Sequence, residues 1–246
     1  MRVVGIDGCK GGWICVALEG GRAEHWVSPH IADALQREPA ADLVLVDIPI
    51  GLLEGGPERR APDVAARRAL RGKRASSVFS APIRPALYAP DYPAANRLSR
   101  DMTGRGLSKQ TWAIVPKIRE VDETLRLRPE WRQRVREVHP ELCFWAFAGS
   151  QAMEHNKKTD EGFKERLDLL VERFPGAEDL LGRIVLWEGK RVARDDAVDA
   201  LAAALTGVDP GAMRSLPETP ARDALGLRME MVYAARKTFS KVTVGD

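Results

Sequence analysis

VVGIDGCKGGW, residues 3–13, is the most constrained stretch of the chain. Val3–Ile6 is apolar and mostly β-branched, the composition of a buried strand. Asp7 then ends the strand, with a glycine directly after it. A buried carboxylate without a partner is very costly. Asp7 therefore calls for a hydrogen-bond donor, a positive side chain or a metal ion, and the question is which.

Outward from this stretch, GCKGG reads as a turn and WICVALE as a second strand. Gly20 and Gly21 make a tight hairpin turn, and RAEHWV is a third strand. Ser28-Pro29 has the chemistry of a helix start, and Ile31, Ala34 and Leu35 give that helix an apolar face. ADLVLVDIPIG is a fourth, strongly apolar strand that can return parallel to the first.

The middle has fewer landmarks. DVAARRALRG predicts a helix ending at Gly72. Residues 75–93 hold four prolines and read as a long ordered loop, a type of segment often used for function. SKQTWAIVPKIREVDETLRL predicts a helix broken near Pro116. RVREVHP reads as a fifth strand, DEGFKERLDLLVERF as an amphipathic helix, and IVLWEG as a short strand or turn. DDAVDALAAALTG predicts a helix with acids in its first turn and Gly207 as its stop. LRMEMVYAARKTF fits an edge strand or a helix. With no internal repeat and no linker, residues 1–246 read as one α/β domain, with helical insertions around 57–133 and 150–185.

Composition excludes several classes. At 44% hydrophobic and 30% charged residues, the chain is expected to be globular. No apolar run reaches the ~18 residues of a membrane span. The three cysteines lack the pairing of a disulfide framework or zinc site. The start MRVVGIDG has no signal-peptide pattern, so the cytoplasm is the expected compartment. Net charge is only +3, yet Arg59, Arg60, Arg67, Arg68, Arg71, Lys73 and Arg74 cluster against Asp63 alone. A second basic cluster runs over Arg126, Arg128, Arg132, Arg134 and Arg136. Such clusters contact phosphates or simply form solvated faces.

Acids recur where acids are unexpected. LVLVDIP places Asp47 at the end of the fourth strand, as Asp7 ends the first. Asp196 and Asp199, three apart, share one face of the last helix. Such an oxygen-rich group suits Mg²⁺ or Mn²⁺. Two such ions about 4 Å apart can clamp the attacking and leaving oxygens of a phosphodiester. Plainer readings exist for each acid: Asp195 or Asp196 caps its helix, Asp199 favours the helix dipole, Asp47 braces a turn, and Asp7 bonds the backbone of its glycine turn.

This order of elements and acids resembles the RNase H-like fold, with a mixed five-stranded sheet of three antiparallel strands followed by parallel ones, flanked by helices. VVGIDG and DAVDALAAAL resemble the first-strand and last-helix motifs of RuvC-type Holliday junction resolvases. That likeness implies metal-ligand roles for Asp7, Asp196 and Asp199, with Asp47 in the place of an acid that is usually glutamate. Over nearly the whole chain, GIDGCKGGW, VDIPIGL, RGKRASSVFSAP, EVHPELCF and DDAVDALAAA are similar to an uncharacterised family (domain of unknown function 429) described as predicted RNase H-like nucleases.

Two of these motifs add candidates. In RASSVFSAP, Ser76, Ser77 and Ser80 lie beside Arg74 and Arg84, groups that suit phosphate, as Arg67 and Arg68 do nearby. In EVHPE, Glu141 could act as a further ligand or general base, and His139 could orient it or a water. The expected function is divalent-metal-dependent phosphodiester hydrolysis on nucleic acid. The rivals are an actin-like nucleotide-binding phosphotransferase, a non-catalytic nucleic-acid-binding or metal-stabilised module, and an enzyme of small phosphoesters.

Overall fold

A computed structural model describes residues 1–235. The chain begins with β1 (Arg2–Cys9), β2 (Gly12–Glu19) and β3 (Arg22–Ser28), followed by α1 (Ile31–Arg37) and β4 (Leu43–Val46). Three helices follow, α2 (Ala61–Leu70), α3 (Tyr92–Thr103) and α4 (Lys109–Leu127), then β5 (Val135–Glu137) and α5 (Pro140–Phe147). The rest is α6 (Asp160–Arg173), α7 (Ala177–Glu188), α8 (Arg194–Gly207), β6 (Met213–Arg222) and β7 (Arg228–Ala234). The main sheet has five strands in the order β3-β2-β1-β4-β5. β1, β2 and β3 pair antiparallel, and β4 and β5 join parallel. This is the mixed α/β arrangement expected from the sequence.

Local chemistry accounts for the meander. Glu19 pairs with Arg22, and the two residues between them are Gly20 (φ +55°) and Gly21 (φ +81°). A two-residue turn with both φ values positive matches the right-handed twist of its strands. The return to β4 goes through α1, whose Ile31, Ala34 and Leu35 are buried. β3 runs through Ser28, so α1 begins at Ile31 after His30, slightly later than Ser28-Pro29 suggested.

The period of two along β1 and β4 separates two cores. Val4, Ile6, Val44 and Val46 pack with α1 and with Val115, Ile118, Val121 and Leu125 of α4. The other face packs against α8, which is buried almost all round. Small residues permit the close approach. A Cβ at Gly5 would lie 2.1 Å from the Ala200 carbonyl oxygen and 2.3 Å from the Ala204 nitrogen. A Cβ at Gly207 would meet Val3, Leu43 and Leu45. The helix thus runs antiparallel to β1, with Asp199 and Ala200 towards the Asp7 end and Gly207 at the Val3 end. Gly5→Ala is therefore expected to cost about 1–3 kcal/mol or more through overpacking against backbone. Urea unfolding of the variant checks this; an unchanged midpoint would mean that α8 does not sit this close.

Three expectations are corrected. α4 continues through Pro116 because its buried residues stay on the sheet, while Pro116 itself faces water that can satisfy the freed carbonyl. IVLWEG belongs to α7, where Ala177, Leu180, Leu181 and Ile184 form the buried face. Its apolar run misleads because Val185, Leu186 and Trp187 lie exposed on the other side. Residues 75–93 are not one loop: 3₁₀ turns span Gly72–Ser77 and Arg84–Tyr88, and α3 begins at Tyr92. Of the two alternatives for LRMEMVYAARKTF the strand is the one formed: residues 228–234 pair with β6 in a separate two-stranded sheet. Residues 236–239 of the same stretch lie outside the described residues.

Candidate metal centre

Parallel pairing ends with Ile6 beside Val46, and the Asp47 N–H donates to the Ile6 carbonyl at 2.9 Å. One residue further on, Asp7 and Asp47 stand side by side. By alternation they point to the face that carries α8, and α8 brings Asp199 to them. One carboxylate oxygen from each of Asp7, Asp47 and Asp199 lies within 4.8 Å of the others. The three acids line a cleft of about 420 Å³.

Each carboxylate has a distinct environment. Asp7 Oδ1 accepts the Gly8 N–H at 2.6 Å, so the plainer reading of Asp7 is also met. Asp199 Oδ2 accepts from Lys157 Nζ at 2.6 Å, and the same ammonium lies 3.7 Å from Asp195. Asp199 Oδ1 is buried and has no hydrogen-bond partner among the described residues. Burial pushes Asp47 up to about 7. Burial also takes Asp199 up to about 7, with Lys157 pulling the other way and Asp47 adding to the rise. Burial, then Asp47 and Asp199, lift Asp7 well above the usual carboxylate range. For Lys157, burial works against the charge, but Asp199, Asp7 and Asp47 prevail and keep it protonated.

Asp196 stands apart from the three. Its carboxylate accepts the Ala193 N–H at 3.0 Å, closing the first turn of α8. Burial raises its pKa and that hydrogen bond opposes the rise. Helix periodicity makes 196 and 199 equivalent, and the depth of docking distinguishes them.

The EVHPE motif reaches the same cleft. Arg166 Nη2 donates to Glu141 Oε1 at 2.5 Å, and Glu141 Oε2 is buried with no partner among the described residues. His139 Nε2 lies 3.3 Å from the Ser77 carbonyl oxygen. A carbonyl only accepts, so Nε2 carries the proton and the buried, unpartnered Nδ1 is an acceptor. Burial lowers the His139 pKa, against the pull of Glu141, which keeps the ring neutral.

The basic and hydroxyl candidates divide. Arg74 lines the cleft but donates to the carbonyls of Met153 and Glu154 at 2.7 and 2.8 Å. Ser77 also lines it, and its hydroxyl donates to the Arg74 carbonyl. Ser80 and Arg67 line a neighbouring cavity instead. Ser76 and Arg68 are exposed and line neither cavity. Arg84 is a correction: it is buried among Glu54, Asp122 and Asp223, and lines neither cavity. In the second basic cluster, Arg132 bonds the carbonyls of Leu125 and Arg126, and Arg136 pairs with Glu230.

Three charged residues in the cleft were not foreseen. Lys117 comes from α4, and its ammonium donates to the Gly12 carbonyl. Glu137 ends β5 as a third strand-end acid, but it is tied to Arg60 and to the Ile50 N–H. Lys157 sits in the polar run HNKKTD, which reads as solvated loop, and nothing local in the sequence ties it to α8.

A family model described as "Protein of unknown function (DUF429)" matches residues 5–222. The chain belongs to the DUF429 family. No curated protein and no solved structure matches it. The matched span takes in Asp7, Asp47, Lys157 and Asp199, so the whole candidate centre is part of the DUF429 match.

The three acids could hold a metal ion. They offer oxygens only, at a separation an ion can bridge, and one buried oxygen has no other partner among the described residues. No helix among the described residues is long and apolar enough to cross a membrane.

Proposed function

We propose that this DUF429 chain is a Mg²⁺- or Mn²⁺-dependent phosphodiesterase of RNase H-like type that acts on nucleic acid. The observation that carries the reading is the convergence of Asp7, Asp47 and Asp199 on one point of a cleft, with Asp199 Oδ1 buried and unpartnered. A divalent ion bound there would polarise the phosphoryl group and activate water at neutral pH. The protein's own groups do the rest. The three carboxylates hold the charge that recruits the ion. Lys157 neutralises part of that charge in the metal-free protein. His139 Nδ1 and Glu141 Oε2 offer acceptors in the same cleft that can orient an attacking water. Asp196 keeps the first turn of α8 closed, and with it the position of Asp199.

The test combines thermal unfolding with a cleavage panel. Burial raises the folded pKa values of Asp47 and Asp199 to about 7 from the ordinary carboxylate value of 3.8. The stability they contribute to the metal-free protein is therefore fully present below pH 3.8 and is lost as pH rises through about 7. A metal ion needs both carboxylates ionised. Mn²⁺ at millimolar concentration is thus expected to raise Tm little at about pH 5 and clearly at about pH 8. At the higher pH, cleavage of single-stranded, duplex or branched DNA or RNA is expected with Mn²⁺ and lost with a chelator. A Tm unmoved by Mn²⁺ at both pH values, together with an uncut panel, would remove the reading.

A further inference from the structure

Beside the acid cleft lies a second cavity of about 600 Å³, the size of a small-molecule site. Its character is opposite. Arg59, Arg60, Arg67 and Arg105 line it, against Glu58 and Asp63. Asp63 is already used, by Arg60 at 2.7 Å and by the Ala81 N–H at 2.8 Å. Arg105 donates to the carbonyls of Pro57 and Glu58, so it is fixed as a charged wall. Arg67 engages only its Nε, with the Val78 carbonyl, which leaves its terminal nitrogens without a partner among the described residues. Arg59 is exposed and has no hydrogen bond or ion pair among the described residues. The cavity therefore attracts anions, whereas the neighbouring cleft attracts cations.

Phe79 connects the two, since it lines both and is 42% exposed. A large aromatic ring left in water between a phosphate-attracting cavity and a metal-attracting cleft calls for a ligand with both an anionic group and a flat apolar face. A nucleotide has both. Its phosphate suits the guanidinium groups, and its base stacks on an aromatic ring whatever its sequence. A base paired in a duplex has its faces covered by its neighbours and cannot enter a cavity. We propose that the second cavity binds an unpaired nucleotide flanking the scissile phosphate, with Phe79 as the stacking face and Arg59 and Arg67 as phosphate contacts. This rests on the phosphodiesterase reading and adds a substrate class: nucleic acid with a single-stranded or extruded nucleotide beside the cut.

The experiment is fluorescence anisotropy of a labelled single-stranded oligonucleotide and of the same strand in a blunt duplex. It is run in chelator so that nothing is cut, with wild type, Phe79→Ala, Phe79→Trp and Arg59→Gln. The single strand is expected to bind more tightly than the duplex. Phe79→Ala is expected to weaken single-strand binding roughly tenfold, and Phe79→Trp to restore it. Arg59→Gln is expected to flatten the salt dependence by about 0.7 in slope, the loss of one phosphate contact. Both positions are exposed, so folding is not at stake, and the Mn²⁺ shift in Tm should stay as in wild type. If neither variant changes affinity or slope while the Mn²⁺ shift persists, the cavity proposal falls and the metal-site reading stands. If the losses appear while wild type shows neither a Mn²⁺ shift nor cleavage of the panel, nucleotide binding at the cavity stands and the nuclease reading falls. Equal binding of duplex and single strand, or no binding of either by wild type, overturns the cavity proposal.

Discussion

Asp7→Asn is expected to abolish the Mn²⁺-induced rise in Tm and to lower phosphodiester cleavage by a factor on the order of 10³ or more. Asparagine has nearly the same size, and its carbonyl can still accept the Gly8 N–H that Asp7 Oδ1 now takes. The substitution therefore removes a charge and little else. That charge is unfavourable in the metal-free fold: burial, Asp47 and Asp199 all raise the Asp7 pKa. A group shifted upward contributes stability at low pH that is lost as pH rises through its folded value. Asparagine has no such loss, so metal-free Asp7→Asn is expected to be more stable than wild type at about pH 8. Higher stability with lost metal response is the signature of a carboxylate kept for function against its cost to the fold. Lys157 makes the contrast sharper, because its ammonium already offsets part of the acid charge and leaves two acids and one cation in the variant. Cleavage within tenfold of wild type, or a variant less stable than wild type at both pH values, would show that Asp7 serves the turn and not a metal.

How far the sequence revealed this site depends on the range of the interactions. The meander was legible because its signals are local: β-branched runs, a Gly-Gly turn, and alternation along β1 and β4. The pairing of Asp7 with Asp47 followed from the same signals, since each acid directly follows an apolar run, although β1 itself continues past Asp7 to Cys9. The last helix was legible too, but its periodicity put Asp196 and Asp199 on one face equally. Only the contact of Ala200 and Ala204 with Gly5 places Asp199 deep and leaves Asp196 to close the helix turn. Lys157 was out of reach of local reasoning, being 42 residues from Asp199 in a loop of solvent-like composition. α7 and Pro116 failed for the complementary reason. An apolar run on an exposed side and a proline on a wet side are both judged by burial, and burial is a property of the tertiary fold.

Arg84 is where that lesson has the largest energetic consequence. Its neighbours in sequence, the serines of RASSVFSAP, suggest a phosphate grip. Its neighbours in space are Glu54, Asp122 and Asp223, from the segment after β4, from α4 and from the β6–β7 connection. Burial opposes its charge, and Asp122 and Asp223 hold it protonated nonetheless. Asp223 is itself anchored by the N–H groups of Leu52, Leu225 and Leu227 at 2.9–3.0 Å, so this cluster ties the small sheet to the main body. Arg84→Met would leave Asp122 and Asp223 without their buried cation, and truncating one partner of such a group costs about 3–5 kcal/mol. An exposed phosphate-binding arginine, by contrast, changes stability by about 0.5 kcal/mol or less. Urea unfolding separates the two by their size. Arg84→Lys adds a variant that keeps the charge but lacks the planar fork needed to serve three carboxylates, and it is expected to fall between Met and wild type. Oligonucleotide affinity of the folded fraction is expected to stay as in wild type for both variants. Wild-type stability with lost nucleic-acid binding would return Arg84 to the phosphate. A large loss of stability with intact binding would fix it as the ionic joint between the two sheets, and leave the grip on substrate to the cavity beside Phe79.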